Sequence, residues 1–196
     1  MKPRTHPRRG RPPPVPAHLQ VPLGTPAAVV EAALPLEDLL VGTNHVPIIA
    51  MYPVIAVNTR GSGQLVETAQ AVYDEALVQG DAGCHGRRPS CRARFGGFRV
   101  RAVTAIDPAQ DWRVWFLETV DGLLTPAYDR AGTLSESIDH VEDIADLVES
   151  RLGPVRHAGE IDSIGEDEMH RGLGTWEDLL LITDDWATIL NLGVSD

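Results

Sequence analysis

Several residue types are scarce in this 196-residue chain, and each scarcity excludes a class of protein. Two cysteines, Cys84 and Cys91, are too few for the disulfide framework of a small secreted domain, so we expect a cytoplasmic protein. Lys2 is the only lysine, which excludes a lysine-containing phosphate loop from the folded part. The most apolar run, residues 39–57, contains Asn44, His45 and two prolines, so we expect no transmembrane helix and no membrane partner.

Charge is distributed unevenly along the chain. The formal net charge is -11, but residues 1–106 carry a net charge of +5 and residues 107–196 carry -16. An acidic half repels nucleic-acid phosphates, so contact with nucleic acid is expected only non-specifically, through the basic N-terminal arm. The acidic half suits a basic protein partner.

Composition divides the chain into five segments. Residues 1–19 are rich in proline and arginine and are predicted to form a disordered basic arm. Residues 20–80 are predicted to form a small mixed α/β segment, and residues 81–97, rich in glycine and arginine, a linker at a domain boundary. Residues 98–152 are predicted to form a βββα module, and residues 153–196 an acidic loop with a C-terminal helix.

Three elements are predicted within the N-terminal segment. A helix starts at Thr25 with a proline at its first position, and Pro35 is expected to limit its length. Residues 46–57 are β-branched but are interrupted by prolines, which indicates an edge or irregular strand. A second helix is predicted over residues 64–78.

The block from Phe98 to Leu152 has the strongest periodicity. Residues 98–102 alternate between apolar and basic side chains, and both this stretch and residues 112–117 are predicted to be strands. The second strand is expected to be apolar on the face of Trp112, Val114 and Phe116 and partly apolar on the other. Asp121-Gly122 is a preferred dipeptide of tight hairpin turns and would lead into a third strand over residues 123–128. Residues 134–152 repeat apolar side chains at helical spacing after a capping-box sequence. The predicted fold class is therefore α+β, a three-stranded antiparallel sheet followed by an amphipathic helix, with a poorly defined N-terminal α/β extension.

The C-terminal segment is less clear. Thr175 could cap a helix that continues to about Leu192, although Leu180 to Ile182 could equally form a short strand. Residues 160–170 are predicted to form an acidic loop.

Three groups of side chains could carry chemistry, and each also has a structural interpretation. Cys84, His85 and Cys91 lack the paired spacing of a zinc site and could simply be exposed. The acids of the predicted 134–152 helix could hold a divalent metal, face solvent or face a partner. A third, acidic group lacks the ligand pattern of a calcium-binding loop and could simply be a solvated loop; it comprises Asp162, Glu166, Asp167, Glu168 and His170.

Short motifs in the 98–152 block resemble those of HicB-like antitoxins. Gly122-Leu123-Leu124-Thr125 and Leu134-Ser135-Glu136 match the steps that enter the third strand and the helix in that family. The resemblance implies a partial RNase-H-like fold and a non-catalytic, cytoplasmic protein of a toxin–antitoxin system, which neutralises a small basic ribonuclease toxin and needs no cofactor. Two alternatives stay open: a divalent-metal-dependent enzyme that uses the acidic clusters, or a protein with no defined biochemical task and no enzymatic role.

We expect the partner-binding surface to combine the predicted 112–117 strand with the polar side of the 134–152 helix. No catalytic residues and no metal ligands are predicted. The predicted partner-binding residues are Trp112, Trp115, Asp139, Glu142, Asp143 and Asp146.

Overall fold

The structure is a computed structural model, and it describes residues 22, 24–42, 46–57, 64–79, 98–107, 111–125, 130–165 and 174–195. The predicted basic arm at residues 1–19 and the predicted linker at residues 81–97 lie outside the described residues. The helices are α1 (Thr25–Leu40), α2 (Leu65–Gln79), α3 (Trp112–Thr119), followed by a π-helical turn (Val120–Leu124), and α4 (Arg130–Leu152). The strands are β1 (Val46–Met51), β2 (Ile55–Ala56), β3 (Phe98–Ala105), β4 (His157–Gly165), β5 (Gly174–Ile182) and β6 (Trp186–Ser195).

The six strands found in the described residues belong to one antiparallel sheet. The order is β1-β6-β5-β4-β3, and β2 pairs with β6 beside β1. The α+β class is therefore confirmed, but the predicted three-stranded sheet is wrong, because strands from both ends of the chain join β3. The N-terminal extension supplies one edge of this sheet, and the C-terminal hairpin supplies its centre.

Helices cover both faces of the sheet. Along β5, Leu179 and Leu181 pack into a core shared with α1, α3 and α4, whereas Leu180 and Ile182 pack into a second core under α2. This division follows from the pleat, since successive side chains of a strand point to opposite faces. In the part of the chain that the structure describes, the result is three layers, with three helices on one side of the sheet and one helix on the other. Among the described residues, no helix is long and apolar enough to cross a membrane.

The N-terminal elements largely match their predictions. Helix α2 and the edge strand β1 form where expected. Helix α1 continues through Pro35 to Leu40, so the expectation that this proline limits the helix is wrong. Leu36 and Leu40, which follow the proline, are fully buried. Their burial offsets the hydrogen bond that proline removes from the helix.

The predicted meander of the 98–152 block does not form. β3 is confirmed, but the predicted second strand is α3, where Trp112, Trp115 and Phe116 are buried at helical spacing. The Asp111 side chain accepts a hydrogen bond from the Arg113 N–H and caps this helix. Asp121-Gly122 lies in the π-helical turn rather than in a hairpin, and residues 126–128 of the predicted third strand lie outside the described residues. Helix α4 is confirmed, and it begins at Arg130.

The predicted C-terminal helix is instead a β-hairpin made of β5 and β6. Leu179 to Ile182 are buried on both faces of the sheet, which requires a continuous apolar run and not the stripe of a surface helix. The hairpin closes at Thr183, whose N–H donates to the Trp186 carbonyl and whose hydroxyl accepts from the Trp186 N–H. The alternative prediction, a short strand at Leu180 to Ile182, matches the structure, because these residues belong to β5. Glu160 to Gly165, predicted as a loop, belong to β4.

Candidate protein-binding site

Helix α4 presents its acidic side chains to solvent. Its apolar stripe, which includes Val141, Ile144 and Val148, is buried against the sheet. The opposite side carries the predicted partner-binding acids Asp139, Glu142, Asp143 and Asp146, all of which are exposed. The structure therefore brings these four carboxylates together on one side of α4, and the other side of this helix packs against the sheet.

A single arginine from the neighbouring helix contacts one row of these acids. Arg113 Nη1 lies 2.9 Å from Glu142 Oε2 and 2.7 Å from Asp146 Oδ1, and Nη2 lies 2.7 Å from Glu149 Oε2. The three acids are spaced four and three residues apart, so they form one row along the helix. Arg113 thereby ties α3 to α4 and compensates part of the negative charge.

Glu149 is the last acid of this row, and its role is structural. Its side chain is 28% exposed, compared with 55% for Glu142 and 70% for Asp146. Partial burial by itself would raise the pKa of Glu149, but hydrogen bonds from Arg113, from Trp112 and from the Val155 N–H outweigh it and hold that pKa below its usual range. Glu149 is therefore ionised at neutral pH and joins three separate segments.

Asp139 and Asp143 lie in a different row of α4 from the acids that contact Arg113. They are one turn apart and exposed, and Glu136 is exposed one turn earlier. Among the described residues, the ion pairs of Arg113 are with Glu142, Asp146 and Glu149 and not with these three side chains. We call Glu136, Asp139 and Asp143 the outer acidic row.

The two predicted tryptophans lie under this surface rather than on it. Trp112 is 5% exposed and Trp115 is 8% exposed. The Trp112 indole N–H donates to Glu149, the Trp115 indole N–H donates to Glu160, and the Trp112 ring stacks on Phe116. In this structure the tryptophans hold α3 against α4 and the sheet, and they offer little area to a partner.

A second polar cluster lies on the opposite face of the sheet. The Tyr73 hydroxyl of α2 donates to Asp178 Oδ2 at 2.7 Å, and Asn191 Nδ2 donates to Asp178 Oδ1 at 2.6 Å. Burial, then the negative charge of Asp178 and the neighbouring Tyr52, raise the pKa of Tyr73 far above its usual range. Tyr73 therefore stays protonated and serves as a hydrogen-bond donor that fixes α2 on the sheet.

Arg113 and the Tyr73 cluster were not identified from the sequence. The acids at positions 142, 146 and 149 follow helical spacing, which places them on one side of α4 but does not identify the arginine beside them. Tyr73 and Asp178 are 105 residues apart in the chain. The packing of α2 on this face of the sheet brings them together.

The other candidate groups do not gather into a site among the described residues. Cys84, His85 and Cys91 lie outside the described residues, as do Glu166, Asp167, Glu168 and His170. Asp162 is an exposed residue of β4. Within the described part of the chain, no group of three or more histidine, cysteine or acidic side chains could hold a metal ion.

No family model, no curated protein and no solved structure matches the chain. The proposed function therefore rests on the geometry of the α4 surface.

Proposed function

We propose that this protein is a non-catalytic binding module whose α4 surface binds a basic surface of another protein. The observation that carries the proposal is the outer acidic row, Glu136, Asp139 and Asp143, exposed on a helix whose opposite side is packed into the core. Holding the helix in place before binding reduces the entropy that a partner has to overcome. A rigid row of carboxylates favours a partner with arginines or lysines at matching spacing.

The two rows of acids have different roles in this proposal. The outer acidic row supplies the primary contacts with the partner. Glu142 and Asp146 are mostly exposed although they contact Arg113, so they can accept a second cation at the edge of the surface. Glu149 is excluded from the contact surface because it is already bound to Trp112, Arg113 and Val155.

Complementary charge would act mainly on the rate of association. The segment from residue 107 to the end carries a net charge of -16, which attracts a basic protein from a distance. Interactions between exposed charges are screened by salt. We therefore expect the association rate to fall as salt is raised, and the dissociation rate to change less.

A small basic ribonuclease toxin is the partner class that we infer within this proposal. It is supported by the sequence motifs at residues 122–125 and 134–136 and by the charge of the C-terminal half. It draws no support from the fold, because residues 112–119 form a helix where the family has a strand. The partner class and the binding role are therefore separate predictions.

Charge reversal on the outer acidic row tests the binding role. We expect Asp139→Arg combined with Asp143→Arg to weaken binding of an inactivated small basic ribonuclease by about tenfold or more, which corresponds to about 1.4 kcal/mol. The measurement is surface plasmon resonance at two salt concentrations, with urea unfolding to verify that the variant is folded. An arginine-rich helical peptide serves as a second probe, because it separates recognition of a toxin from recognition of basic charge in general.

The matched control places the same charge change elsewhere. Glu31→Arg combined with Glu67→Arg alters two exposed acids of α1 and α2 and changes the net charge equally. This variant should bind the probes within about twofold of the unchanged protein, as expected for a change in long-range attraction alone. Equal weakening by the two double variants would contradict the α4 surface as the binding site. Binding of the peptide but not of the ribonuclease would keep the binding role and overturn the toxin as partner.

A further inference from the structure

The chain carries a basic segment of its own in addition to the acidic surface of α4. Residues 1–19, the predicted basic arm, contain five basic residues and no acidic residue: Lys2, Arg4, Arg8, Arg9 and Arg11. The arm lies outside the described residues, and the described part of the chain begins at Pro22. Its charge is opposite to that of the outer acidic row, so the two attract each other.

The outer acidic row is not neutralised by the elements packed around it. In the part of the chain that the structure describes, no ion pair involves Glu136, Asp139 or Asp143. Arg113, the one basic residue of α3, already contacts the neighbouring row of acids. Helix α1, which packs against α4, contains no basic residue. A cation that neutralises the outer acidic row therefore has to come from elsewhere.

The arm joins the folded part at the beginning of α1. The Thr25 N–H donates to the Pro22 carbonyl at 2.9 Å, so Pro22 is held at this end of the helix. At the other end, Glu37 accepts the Ile49 N–H of β1 at 2.7 Å. A helix that leads into a neighbouring strand through a short connection runs antiparallel to it. Helix α1 therefore begins at the end of the sheet opposite to the start of β1.

The last turn of α4 lies at the same end of the sheet. β1 starts opposite Ser195 of β6, so α1 begins toward the Trp186 end of that strand. Just after α4, the Arg156 N–H donates to the Ile182 carbonyl, and Ile182 pairs with Ala187 next to Trp186. The arm therefore leaves the fold beside the end of α4.

The arm is long enough to reach the whole outer acidic row from this point. Proline-rich sequences such as residues 12–16 favour an extended chain of about 3.1 Å per residue. Arg11 precedes Pro22 by eleven residues, so the two can be up to about 34 Å apart. Glu136, the most distant acid of the row, is about 24 Å from the end of α4 at about 1.5 Å per residue. Arg11 and the arginines before it can therefore reach every acid of the row.

We propose that the basic arm binds the outer acidic row of its own chain and competes there with the basic partner. This inference rests on the proposed function, because the arm acts on the surface assigned to the partner. Individual ion pairs between exposed side chains are weak. A covalent link, however, keeps the arm at an effective concentration in the millimolar range, which offsets this weakness.

Competition by the arm would make the α4 surface selective. A partner has to displace the arm before it contacts the row, so its apparent affinity is reduced by the fraction of chains in which the arm is bound. Proteins with a few scattered basic residues would then bind poorly. A partner with a denser basic surface than the arm would still bind.

Paramagnetic broadening in the full chain tests the contact without any partner. In a chain with Cys84→Ser and Cys91→Ser, a nitroxide is attached at Ser150→Cys, an exposed position of α4 two turns after the last acid of the row. We expect the amide signals of residues 4–11 to broaden at low salt and to sharpen at high salt, because salt screens exposed charges. The same label at Ala71→Cys, exposed on α2 beyond the other face of the sheet, is the control and should leave these signals sharp.

Neutralising the row checks that the contact depends on its acids. Asp139→Asn combined with Asp143→Asn should abolish the broadening from the Ser150→Cys label. Broadening that persists in this variant would overturn the proposal. Sharp signals in the unchanged row at low salt would also overturn it, and so would equal broadening from the two labels.

A binding measurement tests the competition. We expect Arg8→Gln combined with Arg9→Gln to tighten binding of the arginine-rich helical peptide by about threefold to tenfold at low salt, since it weakens a competitor of millimolar effective concentration. Arg99→Gln combined with Arg101→Gln, at exposed residues of β3, makes the same change in net charge and should tighten binding less than about twofold.

The outcomes separate the arm from the proposed function. Unchanged or weaker binding by the arm variant would overturn the competition, and so would equal tightening by the two double variants. A peptide that binds none of these chains would overturn the proposed function and the competition with it. The broadening measurement would still decide whether the arm contacts α4.

Discussion

The two faces of the sheet are covered in different ways. The face under α1, α3 and α4 is a wide apolar core, and its charged contacts, centred on Arg113, lie at the rim. The face under α2 has a smaller apolar core into which Tyr73 brings a hydroxyl, bonded to Asp178. The first face therefore has the larger apolar core, with its charged contacts at the rim, whereas on the second face a hydrogen-bonded hydroxyl lies within the smaller core.

The largest predicted effect is on the three-helix face. Phe116 is fully buried, so we expect Phe116→Ala to lower the free energy of unfolding by about 3–5 kcal/mol, through lost burial and the cavity that remains. Urea unfolding at neutral pH measures this loss. Val114→Ala on the same helix is the control and should cost less than about 0.5 kcal/mol, because Val114 is 44% exposed. Similar losses for the two variants would mean that α3 does not pack on the sheet through Phe116.

Elements with one clear apolar period are the ones that sequence reasoning predicted correctly. Helices α2 and α4 and strand β3 each expose one side, so their patterns are unambiguous. In α3, the apolar residues 112, 114 and 116 alternate as in a strand, while 112, 115 and 116 repeat as in a helix. Packing against α4 decides between the two, and no local pattern contains that information.

The sequence likewise predicted only part of the candidate site. The acids of α4 lie in one helix, so their sequence spacing alone places them on the same side. The role of Arg113 depends on α3 being a helix beside α4, and the burial of Trp112 and Trp115 depends on the same packing. The wrong assignment of α3 therefore explains why the tryptophans were expected on the binding surface.

The next largest effect concerns the charged rim of the three-helix face. We expect Arg113→Met to lower the free energy of unfolding by about 1–3 kcal/mol, because it leaves the partly buried Glu149 without its cation. Arg156→Met is the matched control, since its ion pair with Asp184 is exposed on both sides and should change the free energy of unfolding little. Urea unfolding of the two variants in parallel provides the comparison. Equal effects would show that the Arg113 contacts are worth no more than a surface pair.

The Glu149 carboxylate at this rim should make the free energy of unfolding depend on pH in the acid range. The pKa of Glu149 lies below its usual value of 4.5 in the folded protein, so the stability it provides is present above that pH and is lost as the pH falls. Arg113→Met removes a cause of the lowered pKa. The difference in unfolding free energy between the unchanged protein and this variant should therefore narrow between pH 6 and about pH 3. A difference that stays constant over this range would contradict the role of Glu149.

The smallest predicted effect lies on the α2 face, where one hydroxyl is removed without loss of the ring. We expect Tyr73→Phe to cost about 1 kcal/mol at neutral pH, because Asp178 loses one donor and keeps the amide of Asn191. The cost should shrink as the pH rises above about 10, where tyrosine ionises in the unfolded chain. Folded Tyr73 keeps its proton there, since its pKa is raised, so the unfolded state loses a proton that the native state retains and stability falls with pH. Phenylalanine has no proton to lose, so the free energy of unfolding should decline less for the variant in urea unfolding from pH 7 to pH 11. Equal declines for the two proteins would mean that the Tyr73 hydroxyl does not bond to Asp178.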